Sequence, residues 1–486
     1  MIRPDSQTIL SLAPEYSVIP ICREIYADVI TPISLLRRLS GMSKRYFLLE
    51  SVEGGEKWGR YSFLGFDPLL RVYGQEGQVT IERDGEITRI QTNAPLEMLR
   101  DLQKHYKSPK LPGMPPFTGG LVGYFAYAMI GYAEPKLKIK RGQGNDFDLM
   151  LFDKVIAYDH LKQKICIVVN MQTDRMMENY GQATAELEAI TAIIRDGQPL
   201  PKLNSEKKVH FTCNVSQAEY CNMVERTKEY IREGDIFQAV ISRQFVAPYR
   251  ESLINAYRVL RTTNPSPYMV YMNIDGDEII STSPETLVRL QDGRLTTFPV
   301  AGSRPRGKTE EEDKNLEKEL LADEKELAEH NMLVDLGRND LGKISQFSSV
   351  KVSEYMMIHR YSTVMHICSQ VDSEILPQCD GYSALEAVLP AGTLSGAPKI
   401  RACEIIEEIE EAPRGIYGGA LGYLDFTGNM DTCIAIRMAV KQGDQVYVQA
   451  GGGIVADSVP ENEYEESANK ALAVINAICN ASEVDN

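Results

Sequence analysis

Three Asp-Gly pairs, at positions 84–85, 275–276 and 292–293, constrain the fold of this chain most strongly. Each lies between short runs that have the composition of β-strands, and Asp-Gly favours the two-residue turn of a β-hairpin. Hairpins join antiparallel strands, and the helical segments alternate with these strands without a regular βαβ rhythm. The sequence therefore predicts an α+β fold that is built on antiparallel sheets.

The clearest change in composition is a stretch with Gly and Pro at residues 196–201, which is followed by a polar run. Because proline and glycine together punctuate a chain, we place a domain boundary there. The sequence predicts an N-terminal domain over residues 1–200 and a larger C-terminal domain over residues 210–486.

The C-terminal segment opens with a recognisable helix start. Ser216 and Glu219 have the spacing of a capping box, and Gly234 is placed to end the helix that they open. We expect a strand over residues 236–245 and, beyond the two hairpins, a long helical region from residue 310 to about residue 336.

Composition excludes several classes of protein. The 486 residues carry a formal charge of −16, and no basic stretch is present to offset repulsion from a phosphate backbone, so nucleic acid is not an expected partner. No run of about 18 apolar residues predicts a membrane span, and the N-terminus lacks the pattern of a secretory signal. The nine cysteines are scattered without a CxxC pair, which indicates reduced thiols and a cytoplasmic protein.

Two acidic pairs are the strongest chemical signal. Glu326 and Glu329 share one helix face, and Glu463 and Glu466 repeat the spacing after a run of three glycines. Either pair alone is typical of a solvated helix face. If the four carboxylates converge, however, they repel one another unless a cation lies among them, and Mg²⁺ prefers such oxygen ligands. The pairs therefore predict a magnesium site for an anionic substrate.

Glu329, Glu463 and Glu466 lie in two of six motifs that together resemble the chorismate-utilising enzymes, and within them the branch that forms anthranilate. The motifs are TSPE (282–285), PVAGSRPRG (299–307), EHNMLVDLGRND (329–340), LPAGTLSGAPK (389–399), GIYGGALGYL (415–424) and QAGGGIVADSVPENEYEE (449–466). The resemblance runs from about residue 47 to the last helix. It implies antiparallel sheets packed face to face, with helices on the outside.

The resemblance also implies a reaction. Ammonia adds at C2 of chorismate as the C4 hydroxyl leaves, and pyruvate is then eliminated, which leaves an aromatic ring. Glu329 and Glu466 are expected to bind Mg²⁺ directly, and Glu326 and Glu463 through its waters. Glu285 is the expected general acid, and His366 is expected to act in the elimination of pyruvate.

The substrate contacts are likewise implied by the resemblance. The expected contacting residues are Gly302, Ser303, Gly392, Thr393, Tyr417, Arg437, Gly451, Gly452, Gly453 and Lys470. Relatives commonly carry threonine at the position of Ser303, so the hydroxyl is kept here and a methyl group is lost.

Two positions bear on the nucleophile. Relatives that use water carry a lysine where this chain has Gln238, and an amide side chain cannot act as a base at neutral pH. Relatives that form aminodeoxychorismate carry a lysine where this chain has Ala301. Because both lysines are absent, we expect external ammonia as the nucleophile, with Gln238 in the catalytic centre.

The ammonia is expected from a second chain. No cysteine of this sequence lies in a glycine-rich elbow with a histidine partner, so a glutamine-hydrolysing domain is absent. A separate glutamine amidotransferase subunit is the expected partner, in a hetero-oligomer with this chain.

A regulatory site is implied in both halves of the chain. Glu50 and Ser51, together with Pro267, Tyr268 and Met269, resemble the site at which members of the family bind tryptophan as an inhibitor. Taken without the resemblance, these segments are typical strand ends.

Two alternatives stay open at this point. One is the aminodeoxychorismate-forming subunit of the folate pathway, which the alanine at position 301 disfavours. The other is a tryptophan-sensing homologue without activity, which the intact Glu329, Glu466, His366 and Arg437 disfavour.

Overall fold

The computed structural model describes residues 2–28, 30–51, 59–142, 144–206, 208–360 and 364–484. These residues form twelve α-helices and 25 β-strands. The helices are α1 (Ser6–Leu12), α2 (Pro32–Ser40), α3 (Pro95–Lys104), α4 (Ile130–Ala133), α5 (Met176–Arg195), α6 (Gln217–Glu233), α7 (Ile254–Thr263), α8 (Glu310–Ala322), α9 (Glu324–Gly342), α10 (Gly381–Val388), α11 (Lys399–Ile409) and α12 (Pro460–Cys479).

The strands are distributed over the whole chain. They are β1 (Ile2–Arg3), β2 (Val18–Tyr26), β3 (Arg45–Glu50), β4 (Tyr61–Phe66), β5 (Leu70–Gln75), β6 (Gln78–Arg83), β7 (Glu86–Gln91), β8 (Gly120–Phe125), β9 (Phe147–Phe152), β10 (Lys154–Asp159), β11 (Lys164–Gln172), β12 (Thr212–Cys213), β13 (Gln238–Pro248), β14 (Tyr268–Ile274), β15 (Asp277–Ser283), β16 (Thr286–Gln291), β17 (Arg294–Thr297), β18 (Val300–Pro305), β19 (Lys351–Arg360), β20 (Val364–Glu374), β21 (Gly396–Ala397), β22 (Ala420–Asp425), β23 (Met430–Ile434), β24 (Met438–Gln442) and β25 (Gln445–Ile454).

The strands form two large sheets, and their paired strands run antiparallel. Sheet A has 13 strands in the order β1-β2-β11-β10-β4-β3-β14-β15-β24-β25-β13-β12, with β21 also paired to β13. Sheet B has 12 strands in the order β18-β20-β17-β16-β23-β22-β8-β9-β5-β6-β7, with β19 also paired to β20. The predicted α+β fold on antiparallel sheets is confirmed.

Strand β3 shows how the layers are built. Successive side chains of a strand point to opposite faces, so Phe47 enters the core between the two sheets while Tyr46 and Leu48 face the helices. Helices α2, α5, α7 and α12 cover the outer face of sheet A, and α3, α9 and α10 cover that of sheet B. The molecule therefore has four layers, with the sheets inside and the helices outside.

Both sheets contain strands from both of the predicted domains. Strand β3 pairs with β14, and β8 pairs with β22, so the hydrogen-bonded sheets cross from one segment to the other. The domain boundary at about residue 200 therefore stays a prediction. What the structure adds is that residues 1–200 and 210–486 share one pair of sheets.

The hairpin predictions are confirmed. Each Asp-Gly pair joins two paired strands, β6 to β7, β14 to β15 and β16 to β17. Asp84 and Gly85 have φ values of 52° and 83°, which is the left-handed backbone that a type I′ turn requires at both positions. Local turn chemistry therefore sets the register of these hairpins.

The long helical region differs from its prediction. It is two helices, α8 and α9, because Asp323 has an extended backbone and its side chain accepts hydrogen bonds from the amides of Lys325 and Glu326. An aspartate in this position caps a new helix. The strand predicted at 236–245 begins two residues later, at Gln238, and runs on to Pro248.

The structure also describes the cysteines and the apolar character of the helices. All nine cysteines are free thiols, and the exposure of each is low or intermediate. Over the described ranges, no helix combines the length and the apolar character needed to cross a membrane.

Phe47 is a test of the core between the sheets. Its ring is fully buried and lies 4.8 Å from that of Phe152, centroid to centroid. We predict that Phe47→Ala lowers the free energy of unfolding by about 3–5 kcal/mol, because the cavity that it leaves cannot collapse in a two-sheet core. Denaturant unfolding followed by circular dichroism measures this loss. Ile87→Ala, at a position that is 56% exposed, is the control, and an equal effect of the two substitutions would contradict the assignment.

Candidate active site

The two acidic pairs lie near the N-terminal ends of two helices, α9 and α12. Glu326 and Glu329 are in the first turns of α9, and Glu463 and Glu466 are in the first turns of α12. Burial raises the pKa of Glu329, and the charges of Glu326 and Glu466 raise it further. Carboxylates from both helices therefore act on one another, which brings the predicted acidic residues into one neighbourhood.

Cations already balance part of this charge. The ammonium of Lys470 lies 2.7 Å from Glu466 and, against the effect of burial, holds the pKa of that carboxyl below its usual value. Arg304 lies 3.4 Å from Glu326. The pKa of Glu463 is raised by burial, and the charge of Glu466 adds to the shift.

The four carboxylates offer the oxygen donors that a hard cation such as Mg²⁺ prefers. Neighbouring carboxylates raise the pKa of Glu329, and a cation among them would offset their repulsion. Their present geometry is looser than a metal site. Within the described part of the chain, no three His, Cys, Asp or Glu side chains are grouped closely enough to hold an ion. The assignment of these four residues as ligands stays a prediction.

The three glycines of β25 permit a close approach at this site. A β-carbon on Gly451 would lie 2.3 Å from the carbonyl oxygen of Ile241 in β13, and one on Gly452 would lie 2.9 Å from a carboxylate oxygen of Glu463. A β-carbon on Gly453 would lie 2.3 Å from the amide nitrogen of Gln238. Glycine is therefore required at position 451, where a β-carbon would meet backbone, whereas at positions 452 and 453 a β-carbon would displace the end of a side chain.

Glu285 has the environment of a protonated acid. It follows β15 at the turn into β16, and the hydroxyl of Thr393 donates to its Oε1 over 3.1 Å. Burial raises the pKa of Glu285 to about 8, although the hydrogen bond from Thr393 acts in the opposite direction. Glu285, Gly392 and Thr393 line a small cavity of 40 Å³. The carboxyl is consequently protonated over most of the neutral range.

His366 lies on β20 beside the other predicted contacts. Its Nδ1 is 3.2 Å from the carbonyl oxygen of Gly302, and it stands opposite Ser303 in the pairing of β18 with β20. Burial lowers its pKa, and the nearby charge of Arg437 adds to the effect. The imidazole is therefore neutral at neutral pH, and the Gly302 carbonyl favours the tautomer with the proton on Nδ1.

Arg437 and Tyr417 supply the polar groups opposite the carboxylates. Arg437 has a left-handed backbone with φ of 49°, and its Nη1 donates to the carbonyl oxygen of Lys470 over 2.8 Å. Burial raises the pKa of Tyr417 to about 12, so the phenol keeps its proton. The ammonium of Lys470 also donates to the carbonyl oxygen of Gly451 over 3.1 Å.

Gln238 and Ala301 occupy the two positions that bear on the nucleophile. Gln238 is buried at the start of β13, and its Oε1 has no hydrogen-bond partner among the described residues. Ala301 stands opposite Ile367 in the pairing of β18 with β20. Neither side chain can act as a base or as an amine nucleophile.

Sequence reasoning missed a buried ion pair behind these residues. Arg414 and Glu410 lie four positions apart, and their side chains are only 1% and 6% exposed. Arg414 directly precedes the motif that contains Tyr417. A Glu and an Arg at this spacing were visible in the sequence, but their burial was not.

The five predicted regulatory residues line a separate and larger cavity. It has a volume of about 620 Å³ and is bordered by Glu50, Ser51, Pro267, Tyr268 and Met269. Strands β3 and β14, which pair Glu50 with Met269, form one wall, so the two halves of the predicted site are brought together.

The carboxylate of Glu50 is fully engaged beneath this cavity. It accepts hydrogen bonds from Arg261 over 2.6 Å, from Tyr257 over 2.9 Å and from Ser62 over 3.1 Å. In the structure as it stands, Glu50 therefore holds the floor of the cavity in place.

Comparison with known proteins shows the family to which this chain belongs. The family model described as chorismate binding enzyme matches residues 45–476. Anthranilate synthase component 1 of Acetivibrio thermocellus is 46% identical over 495 aligned residues that cover all of both chains. The protein of the same name from Pseudomonas aeruginosa is 45% identical, over 98% of this chain and 99% of its own.

Solved structures give the same relationship. The crystal structure of anthranilate synthase component I from Streptococcus pneumoniae superimposes with a TM-score of 0.77 at 36% identity, over 93% of this chain and 99% of that one. The menaquinone-specific isochorismate synthase MenF of Escherichia coli shares the fold, with a TM-score of 0.70 at 20% identity, over 97% and 98% of the two chains. This chain belongs to the chorismate-binding enzyme family, in the group of anthranilate synthase component 1.

Proposed function

We propose that this chain converts chorismate and ammonia to anthranilate and pyruvate, the reaction that commits chorismate to tryptophan. The observations that carry the proposal are the protonated carboxyl of Glu285, the neutral imidazole of His366 beside Gly302 and Arg437, and the cationic Lys470 beside the acidic pairs. The names of the full-length relatives support it, and so does the absence of lysine at positions 238 and 301.

Mg²⁺ is part of the proposal. Glu329 and Glu466 would bind it directly and Glu326 and Glu463 through water, and the bound ion would hold the ring carboxylate and offset developing negative charge.

Glu285 would act in the first step. Ammonia forms a bond to C2 of the ring, the double bonds shift, and the C4–O bond breaks. Hydroxide is a poor leaving group, so the proton of Glu285 passes to that oxygen and water departs. A pKa of about 8 keeps this carboxyl protonated near neutral pH, which is the state that the step requires.

His366 would act in the second step. The hydrogen bond from Nδ1 to the carbonyl oxygen of Gly302 keeps the proton on Nδ1, so Nε2 carries the lone pair that would accept the proton from C2. As that proton leaves, the bond between C3 and the enolpyruvyl oxygen breaks and the ring becomes aromatic. The enolpyruvyl fragment takes up a proton and departs as pyruvate.

The second carboxylate of the substrate would be held on the other side. Arg437, the phenol of Tyr417 and the amides of Gly451–Gly453 offer donors to it, and Lys470 adds a positive charge. Gly302, Ser303 and the turn at Gly392 and Thr393 would line the ring. A protein of net charge −16 needs such a local group of donors to bind a dianion.

The ammonia would come from a glutamine amidotransferase subunit in a cytoplasmic complex. The designation "component 1" of the relatives implies a second component, and this sequence has no glutaminase signature of its own. Gln238, whose buried carbonyl oxygen has no hydrogen-bond partner in the described part of the chain, would accept a hydrogen bond from the incoming nitrogen.

Tryptophan would inhibit the enzyme at the 620 Å³ cavity. This volume suits a small aromatic ligand, and the wall contributed by Tyr268 and Met269 is aromatic and apolar. Because the cavity lies between the halves of the chain, a ligand there can favour one arrangement of the strands over another, which is the requirement for feedback inhibition.

The activity is testable directly. Purified protein with chorismate, Mg²⁺ and an ammonium salt at alkaline pH should release fluorescent anthranilate and an equal amount of pyruvate. A chelator should stop the reaction, and Glu329→Ala should lose activity while keeping the circular dichroism spectrum of the wild type. Stable accumulation of aminodeoxychorismate would favour the folate-pathway reaction instead, and absence of any turnover would favour a sensing protein.

The role of Glu285 predicts a pH profile. With the concentration of free ammonia held constant and saturating, turnover should fall above about pH 8, because the acid loses its proton there. Below that pH the carboxyl is protonated, so turnover should not change with pH on account of Glu285. The fall above pH 8 is called the alkaline limb of the profile. Glu285→Gln should reduce kcat by about 10²–10⁴-fold and remove the limb. If turnover of Glu285→Gln still falls above about pH 8, the fall is caused by the titration of another group.

The regulatory site predicts a desensitised variant. Ser51→Phe places a large ring at the edge of the 620 Å³ cavity, so tryptophan should inhibit this variant at least tenfold less strongly, with activity in the absence of tryptophan retained. Inhibition curves measured with anthranilate fluorescence give the comparison. Ser11→Phe, the same change at an exposed position of α1, is the control. Unchanged inhibition of Ser51→Phe would remove Ser51 from the site.

A further inference from the structure

The buried pair of Arg414 and Glu410 makes more contacts than an ion pair needs. Arg414 Nε lies 2.9 Å from Oε2 of Glu410, and Nη2 lies 2.6 Å from Oε1, so the two groups meet in a two-pronged arrangement. The guanidinium also donates to two backbone carbonyls, that of Leu394 over 2.5 Å and that of Val240 over 2.6 Å. Arg414 thereby joins three separate segments.

Glu410 extends the same network. Its Oε1 accepts hydrogen bonds from the backbone amide of Ser242 over 2.7 Å and from the Ser242 hydroxyl over 2.9 Å. The hydroxyl of Ser242 lies 2.9 Å from the side-chain amide nitrogen of Gln449. The ion pair is thus connected to β13 and β25 as well as to the turn at Leu394.

Each segment that the network holds also carries a residue of the proposed active site. Leu394 directly follows Thr393, Val240 is two residues beyond Gln238, and Gln449 is two residues before Gly451. The guanidinium of Arg414 lies 5.9 Å from the ring centre of Tyr417. The contacts of one buried cation therefore converge on the backbone of the site.

We infer that Arg414, held by Glu410, is a positioning residue that fixes the turn of Thr393 and through it the hydrogen bond to Glu285. This inference rests on the proposed function, in which Glu285 is the general acid. Arg414 does not contact substrate in this role. It acts by fixing the carbonyl of Leu394 and so the hydroxyl of the preceding threonine.

The chemistry of arginine suits this role. A buried ion pair is a weak source of stability, because the loss of hydration offsets much of the attraction. Its planar fork of donors, however, can serve a carboxylate and two carbonyls at fixed angles, which a single ammonium group cannot do. The pair is therefore better explained by the geometry that it imposes than by the energy that it supplies.

The surroundings of Glu285 make it sensitive to the position of Thr393. Asp340 lines the same small cavity, but its carboxylate is paired with Lys399 over 2.8 Å and with Lys343 over 3.1 Å. Apart from burial, the hydrogen bond from Thr393 is the influence that acts on the pKa of Glu285. Because this bond stabilises the carboxylate, a displaced Thr393 should raise that pKa further.

The first test is the variant Arg414→Lys, which keeps the charge and removes the fork. In this variant the alkaline limb, where kcat falls as Glu285 loses its proton, should lie about one pH unit higher than in the wild type. Thr393→Val should raise the pH of the limb by the same amount. The double variant should show no further shift, because both substitutions remove the same hydrogen bond. A limb that stays at the wild-type position in Arg414→Lys would overturn the inference.

A matched control separates positioning from general loss of stability. Lys441 and Glu278 form another buried ion pair, 2.9 Å apart, whose further partners lie outside the proposed site. Lys441→Met should lower the melting temperature without moving the limb. If Arg414→Lys does not fold, Glu410→Gln serves in its place, because this substitution weakens the ion pair that holds Arg414. Glu410→Gln should also move the alkaline limb to a higher pH.

A second measurement distinguishes failure of the inference from failure of the proposed function. The titration of Glu285 can be followed without turnover, by infrared difference spectra of the wild type against Glu285→Gln. Arg414→Lys should raise the midpoint of this carboxyl band relative to the wild type, even if the chain forms no anthranilate. An unchanged midpoint would contradict the positioning role, whereas a shifted midpoint without anthranilate would contradict the proposed reaction alone.

Discussion

The pairing of β3 with β14 is the contact on which the rest of the structure depends. It joins residues 45–50 to residues 269–274, so that sheet A continues from the first part of the chain into the second. The same register places Glu50 opposite Met269, and the 620 Å³ cavity opens beside them. A shift of one residue would turn Phe47 away from the core between the sheets, so burial of its ring holds the register in place.

The candidate active site depends on a second pairing, that of β13 with β25. The three glycines of β25 bring its backbone against β13 and against α12, where any β-carbon would collide with Ile241, Glu463 or Gln238. This close contact leaves little room for motion of the backbone. Lys470 of α12 lies beside Glu466, and Arg304 of β18 lies beside Glu326, so these two cations balance part of the charge of the carboxylates. The strand pair thus supplies the backbone of the site, and the neighbouring elements supply its charges.

The sequence predicted those features whose cause is local. The Asp-Gly turns and the capping box at Ser216 form as expected, because each depends on a few neighbouring residues. The break at Asp323 was missed, because the helical pattern continues across a residue that caps a new helix. The influence of Glu466 on Glu329 could not follow from spacing, since about 130 residues separate the two acidic pairs and only the tertiary fold brings them near one another. Resemblance to a family supplied that step, and it also supplied the roles of Glu285 and His366.

The cavity and the acid lie closer together than their separate functions suggest. Tyr268 borders the cavity, and its phenol lies 2.9 Å from the hydroxyl of Thr286 and 2.8 Å from a carboxylate oxygen of Asp431. Thr286 directly follows Glu285 at the start of β16. A ligand that moves Tyr268 therefore acts on the residue beside the acid. The hydrogen bond between Tyr268 and Thr286 thus connects the wall of the proposed regulatory site with the residue that follows Glu285.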